Sequence, residues 1–329
     1  DTLSLHDALP IYDMLPVDTI PLIVSSSVST DTSSPISLNE RALVSEPLIR
    51  VLISRVSSTV PVQLDFPYQL YAGDEFKSFI SPRTRVVFEY VDRNHVAHLP
   101  DGDVVTEKPL RLVPVAPQDY FILPENKRRI SGRKYDFNAY RGTLEFRFSS
   151  ISSTTLLINE LPLDWYIAGI TETHDSAPTE YIKALLIAAR SYAYFHLRHD
   201  AQNEKLFDVY SSTVDQLYLG YHAELSMPRV AQMQRETYGQ MVTYHNEPVI
   251  TPYSSRTNGM TRGWKQAWGG TDKPWLVPVE ALYDKGKKRN GHGVGMSNND
   301  AILRAKNDGW SYSRILEYYY SGTHVEKIY

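Results

Sequence analysis

The chain has 329 residues, room for about two domains, and its 42% hydrophobic and 22% charged content is that of an ordinary globular protein. A formal charge of −4 lacks the basic excess of a nucleic-acid binder. No apolar run of ~20 residues is present to form a spanning helix, and the absence of Cys excludes disulfides and thiolate metal sites.

Residues 1–12, DTLSLHDALPIY, read as a translated sequencing adapter and are set apart from the fold. The expectation that follows is a missing natural start, with any signal peptide or membrane anchor lost along with it. Residues 13–47 are rich in Ser, Thr, Pro and Val and sustain neither a helical nor a strand period, which predicts a flexible stalk or an arbitrary disordered tail. From 48 to 158 the signals are mainly β. IRVLISRV (49–56), VQLDFPYQLYA (62–72), TRVVFEYV (84–91), LRLVPV (110–115), TLEFRF (143–148) and TTLLIN (154–159) are β-branched or aromatic runs bounded by turn residues. In TLEFRF, Leu144, Phe146 and Phe148 alternate with Glu145 and Arg147, predicting one buried and one wet face. The basic stretch KRRISGRK (127–134) reads as a solvated loop, or as a region that attracts an anionic polymer.

After Leu161 the period changes. Ile182, Leu185, Leu186 and Ala189 recur at helical spacing, predicting a helix from about Pro178 to Arg198. A second helix fits 228–238, opened by Pro228 and closed by Gly239. Strands at 240–244 and 248–252 flank a turn at His245, Asn246 and Glu247, and short helices fit 299–307 and 313–320, ended by Gly309 and Gly322. The class is α+β: a strand-rich part followed by a mixed helix and strand region from 159 to 329 that carries the motifs and a cleft.

Three segments carry chemistry. The first is ELPLDWYIAGITETHDSAPTEYIKALLIAARSYAYFHL (160–197), with Glu172 in a short polar loop before the long helix. By itself Glu172 reads as a solvated loop carboxylate or a helix-dipole partner. The second is YSSRTNGMTRGWKQAWGGTDKPWLVPV (253–279), where hydroxyls and indoles together suit a sugar groove, or equally a turn-rich loop with core Trp. The third is GHGVGMSNNDA (291–301). It lacks the spacing and the Lys-Ser/Thr of a phosphate loop. If extended, it places Gly291, Gly293 and Gly295 on one face and His292 on the other, and a lone His is more often structural.

In order and spacing these segments resemble the SpoIID/LytB family. Asn159 to Leu163 match its NELPL opening, Pro178 and Glu180 follow without a gap, and Ala188 to Ala193 match its AARTYA. GHGVGMS matches letter for letter, and ILEYYYSGTHV (315–325) is similar to the family's closing segment. The family's catalytic glutamate falls on Glu172, although its next two residues, Met and Pro, are Thr173 and His174 here and its Trp is Ala177. The resemblance implies a substrate-binding set of Arg190, Tyr253, Ser254, Ser255, Asn258, Thr261, Trp268, His292 and Ser297. His174, His196 and His199 do not restore the zinc site of some members, which uses Cys, so no metal and no cofactor is expected.

What the resemblance implies is an extracytoplasmic protein working on peptidoglycan strands, at the wall or anchored facing it. The reaction would be that of a lytic transglycosylase, cutting between N-acetylmuramic acid and N-acetylglucosamine with Glu172 as general acid and base and leaving a 1,6-anhydro ring. A hydrolase would need two carboxylates. The alternative is a LytB-like enhancer that binds glycan and stimulates a wall amidase as its partner, without chemistry of its own.

Overall fold

A computed structural model describes residues 44–129, 134–200 and 206–329. Residues 1–12 and nearly all of the stalk at 13–47 therefore lie outside the described residues, as do 130–133 of the basic stretch. Two twisted sheets face each other in the first half. One has seven strands in the order β13 (Val209–Tyr210), β1 (Leu48–Val56), β12 (Thr154–Pro162), β11 (Thr143–Ser149), β8 (Leu110–Pro114), β3 (Tyr68–Ala72) and β4 (Glu75–Ile80). The other has six: β10 (Ala139–Arg141), β9 (Tyr120–Ile122), β2 (Val60–Leu64), β5 (Thr84–Val91), β6 (Asn94–His98) and β7 (Val104–Thr106). Phe88 stacks on Phe146 with ring centres 5.2 Å apart, and Tyr90 stacks on Phe148 at 4.2 Å, so β5 and β11 join the two layers.

The run VQLDFPYQLYA is not one strand. It breaks at Pro67, which offers no N–H, and its halves enter different sheets as β2 and β3. The outward side of β11 is also not wet. Glu145 is 1% exposed and paired to Arg50 at 3.0 Å and to Arg147, while Arg50 and Arg111 reach Glu160 at 2.6 and 2.5 Å. Burial opposes the charge on Glu145, but Arg50 and Arg147 outweigh it and hold the carboxyl below its ordinary range.

The second half winds helices around a smaller pair of sheets. α1 (Leu163–Ala168) leads to the 22-residue α2 (Thr179–Asp200), followed by α3 (Tyr221–Ser226), α4 (Pro228–Glu236), α5 (Trp264–Trp268), α6 (Asn298–Asn307) and α7 (Tyr312–Tyr319). Ile182, Leu185, Leu186 and Ala189 are buried as their spacing predicts, but so are Ala184, Ile187 and Ala188. α2 is therefore a central helix, enclosed by α1, α4, α6, α7 and β14 (Gln240–Tyr244). β14 turns back into β15 (Glu247–Pro248) through His245 and Asn246, both at positive φ, the geometry of a two-residue hairpin. No strand continues to residue 252; β14 pairs on its other side with β18 (His324–Lys327). Contacts also begin ahead of Leu48: Pro47 O accepts from Leu163 N at 3.0 Å, and Glu46 accepts from Asp164 N at 2.8 Å.

Candidate active site

The segment after α1 is short, polar and laid edge to edge against residues 216–219. Leu219 N donates to Gly169 O at 2.9 Å, Thr171 N to Leu217 O at 2.9 Å, and Ile170 bridges Tyr218. Gly169 is required there, because a Cβ would lie 2.3 Å from the Tyr218 ring. Tyr218 is held in turn by Asn159 of the NELPL motif, whose Oδ1 accepts from the Tyr218 hydroxyl at 2.8 Å. This ladder fixes Glu172, whose Oε1 accepts from Leu217 N at 3.2 Å and whose Oε2 accepts from the Tyr253 hydroxyl.

The direction of the bonds behind Glu172 is settled by a backbone group. Gln216 Nε2 donates to Ala189 O at 3.2 Å, so the amide orientation is fixed; the same nitrogen donates to Tyr253 OH at 2.9 Å, and Oε1 accepts from Tyr166 OH at 3.0 Å. Tyr253 accepts from Gln216 and must therefore give its single hydroxyl proton to Glu172. Burial pushes the Glu172 carboxyl up to about 7, against the pull of Tyr253 and the Leu217 N–H, with the Asp215 charge adding to the rise. The Tyr253 hydroxyl lies well above its ordinary value for the same reasons, burial and the neighbouring Glu172. Asp215 is a second carboxylate near Glu172, and both its oxygens are engaged, by Tyr192 OH at 3.1 Å and Tyr210 N at 2.7 Å.

Tyr253 sits in β16 (Tyr253–Ser254), which pairs in parallel with β17 (Met296–Ser297) and so brings the second and third motifs together. The glycines of GHGVGMS are not extended: Gly291, Gly293 and Gly295 have φ of 94°, 75° and 67°. At Gly295 a Cβ would fall 2.0 Å from Pro252 O, a distance no other residue accepts. The loop folds His292 back onto β16. Its Nδ1 accepts from Val294 N at 3.0 Å and its Nε2 donates to Tyr253 O at 3.0 Å, which sets the neutral tautomer and clamps the strand that carries Tyr253. The ring lies 4.9 Å from that of half-buried Trp268.

The other expected binding residues divide. Ser255 is half-buried and Asn258 exposed, on the same loop as Tyr253. Ser254 is buried beside Gly291, and its hydroxyl has no protein partner. Three are engaged in the interior. Arg190 is 0% exposed, ion-paired with Asp164 at 2.5 Å and bonded to Gln240 O at 3.0 Å, so it is a core residue that no ligand reaches. Thr261 is buried and latches to Val279, accepting from its N–H at 2.7 Å. Ser297 is buried, donates to Asp284 at 2.6 Å and caps α6. Composition and spacing cannot tell these from ligand-facing residues, and Gln216 and Asp215 carried no motif signal. Among the described residues no group of three or more His, Asp or Glu is arranged to hold a metal; His174 meets Ser176, and His199 meets Phe195 O. No described helix is long and apolar enough to cross a membrane. A hollow of about 240 Å³ lies in the sandwich, lined by Val56, Thr59, Glu89 and Tyr90 among others, and includes none of the site residues.

A family model described as "Stage II sporulation protein" (SpoIID) matches residues 152–244. An uncharacterized protein of Brachyspira hyodysenteriae is 26% identical over 230 residues, which cover 69% of this chain and 57% of that protein. Stage II sporulation protein D of Bacillus subtilis is 24% identical over 141 residues, 39% of this chain and 41% of the relative. The chain thus spans about half the length of these relatives. The matched segment carries Asn159, Glu172 and Gln216, the residues that build and orient the carboxyl site, and it is over this segment that the chain is similar to the SpoIID family.

Proposed function

We propose that this protein is a lytic transglycosylase of peptidoglycan, acting outside the cytoplasm, with Glu172 as its one acid and base. The observation that supports this most is a half-buried carboxyl raised to about 7 and aimed by Tyr253 and Leu217 N–H. At neutral pH such a group is divided between its acid and its carboxylate, which is what a single residue serving both steps needs. In the first step Glu172 gives its proton to the oxygen that bridges N-acetylmuramic acid to the next sugar, and the bond from C1 to that oxygen breaks. In the second, the C6 hydroxyl of the same muramyl residue attacks C1 and its proton passes to Glu172, which is restored. The attacking hydroxyl is tethered, so its effective concentration is high and no second carboxylate is needed to activate water. Ser255 and Asn258, on the loop that follows Tyr253, and Trp268, beside His292, offer hydrogen bonds and a flat ring face to the glycan.

The test is digestion of purified, peptide-free glycan strands followed by mass analysis. Wild-type protein is expected to release 1,6-anhydro ends, and Glu172→Gln to lower the rate by a factor on the order of 10² or more while glycan binding is kept. Ends that have gained water would overturn the reading in favour of a hydrolase using Asp215. So would an absence of product from the protein alone together with faster cleavage by an added wall amidase, the behaviour of an enhancer.

A further inference from the structure

Around the loop that carries His292 lies a concentration of positive charge. The turn after the short 3-10 segment Leu282–Asp284 reads Lys285, Gly286, Lys287, Lys288, Arg289. Lys285 is neutralised by Glu280 at 2.6 Å. Lys287, Lys288 and Arg289 are exposed, Arg256 and Arg262 beside them are half-buried, and among the described residues none of these five forms an ion pair.

The cluster is fixed in place. Arg256 and Asn290 exchange both backbone hydrogen bonds, at 3.2 and 3.0 Å, and Arg256 Nε donates to Lys288 O at 2.9 Å. Arg262 N donates to Gly293 O at 2.8 Å and its guanidinium reaches His292 O at 3.3 Å. The stems of Arg289 and Arg262 converge over Gly293, where an added Cβ would lie 3.0 and 3.7 Å from their Cδ atoms. Two guanidinium groups brought together with no carboxylate between them repel, and a bound anion removes that cost. The neighbouring Trp268 ring, 4.9 Å from His292, supplies the apolar face that a sugar requires.

We infer that Arg256, Arg262, Lys287, Lys288 and Arg289 form a subsite for the carboxylate of an acidic sugar, the lactyl group of a muramyl residue next to the bond that is cut. This rests on the glycan reading above, but its test reads binding and not cleavage. Glu172→Gln protein is titrated with peptide-free glycan strands, either native or with their carboxyls capped as methylamides. Native strands are expected to bind about tenfold more tightly at low salt, as three to five weak exposed pairs allow, with the preference fading as salt is raised. A Lys287→Gln, Lys288→Gln, Arg289→Gln variant on the same background changes only exposed side chains and keeps its thermal midpoint; with only Arg256 and Arg262 left, it is expected to lose most of the preference. Equal binding of native and capped strands, a triple variant that keeps the preference, or a stronger preference for poly(glycerol phosphate) would each overturn the inference. Carboxylate-dependent binding by a wild-type protein that releases no product would leave it standing and refute only the transglycosylase reading.

Discussion

Replacing Glu172 by Gln tests the site through stability, before any substrate is added. A carboxyl raised from its ordinary 4.5 to about 7 holds its proton more tightly in the folded chain than in the unfolded one. At about 1.36 kcal/mol per pH unit, ionising it in place costs the fold about 3 kcal/mol once the pH is well above 7. The sign follows. Below pH 4.5 both states carry the proton and there is no penalty; it grows as pH rises from 4.5 to about 7 and is flat beyond. Between pH 5 and pH 8 the wild type should lose about 2.5 kcal/mol through this one group. Gln does not titrate, so it escapes that loss. It does carry a fixed cost of about 1–3 kcal/mol, because one amide oxygen cannot accept from both Leu217 N–H and Tyr253 OH. The constant part cancels in the comparison. In thermal melts across the range, the midpoint of Glu172→Gln minus that of wild type should climb by about 5 °C from pH 5 to pH 8, at about 2 °C per kcal/mol for a chain of this size. Two midpoint curves that stay parallel across that range would mean that Glu172 is an ordinary solvated carboxylate, and the acid role would fall with it.

Three further outcomes follow from the geometry. Tyr253→Phe removes a hydrogen bond that favours the Glu172 carboxylate, so the alkaline limb of the activity profile should move to higher pH; an unmoved limb would break the link between the two residues. Gly295→Ala places a methyl against Pro252 O at a positive φ and should lower stability by several kcal/mol, enough to reduce soluble yield; a variant that melts like wild type would contradict the close approach. Arg190→Met leaves Asp164 charged and buried, and should cost about 3–5 kcal/mol in denaturant titration. An Arg190→Met protein of normal stability but poor glycan binding would restore Arg190 to the ligand.

The sequence made the periodic elements legible. The spacing of Ile182, Leu185, Leu186 and Ala189 located α2, and the turn residues after α6 and α7 marked their ends. It made Glu172 legible through its place in an ungapped motif. The split of VQLDFPYQLYA between two sheets was hidden, because a strand run reports its own period and not its partner. Arg190 was misplaced for a related reason. A conspicuous cation in a matched motif looks the same in sequence whether it holds a ligand or a buried aspartate 26 residues away. Gln216 was invisible because its work is to orient a hydroxyl, a role defined only once Ala189 O and Tyr253 stand on either side of it. The shape of the glycine loop was lost because alternating Gly reads as an extended face, whereas positive φ at all three folds it back.

The one-way bonding behind Glu172 has a consequence for traffic. Tyr166, Gln216 and Tyr253 each donate outward, and the amide in the middle cannot turn over without abandoning Ala189 O. The row of groups is therefore a dead end for protons: it holds the carboxyl in position but cannot reload it from the interior. Whatever Glu172 gives away must come back through its open side, from solvent or from the molecule that took it.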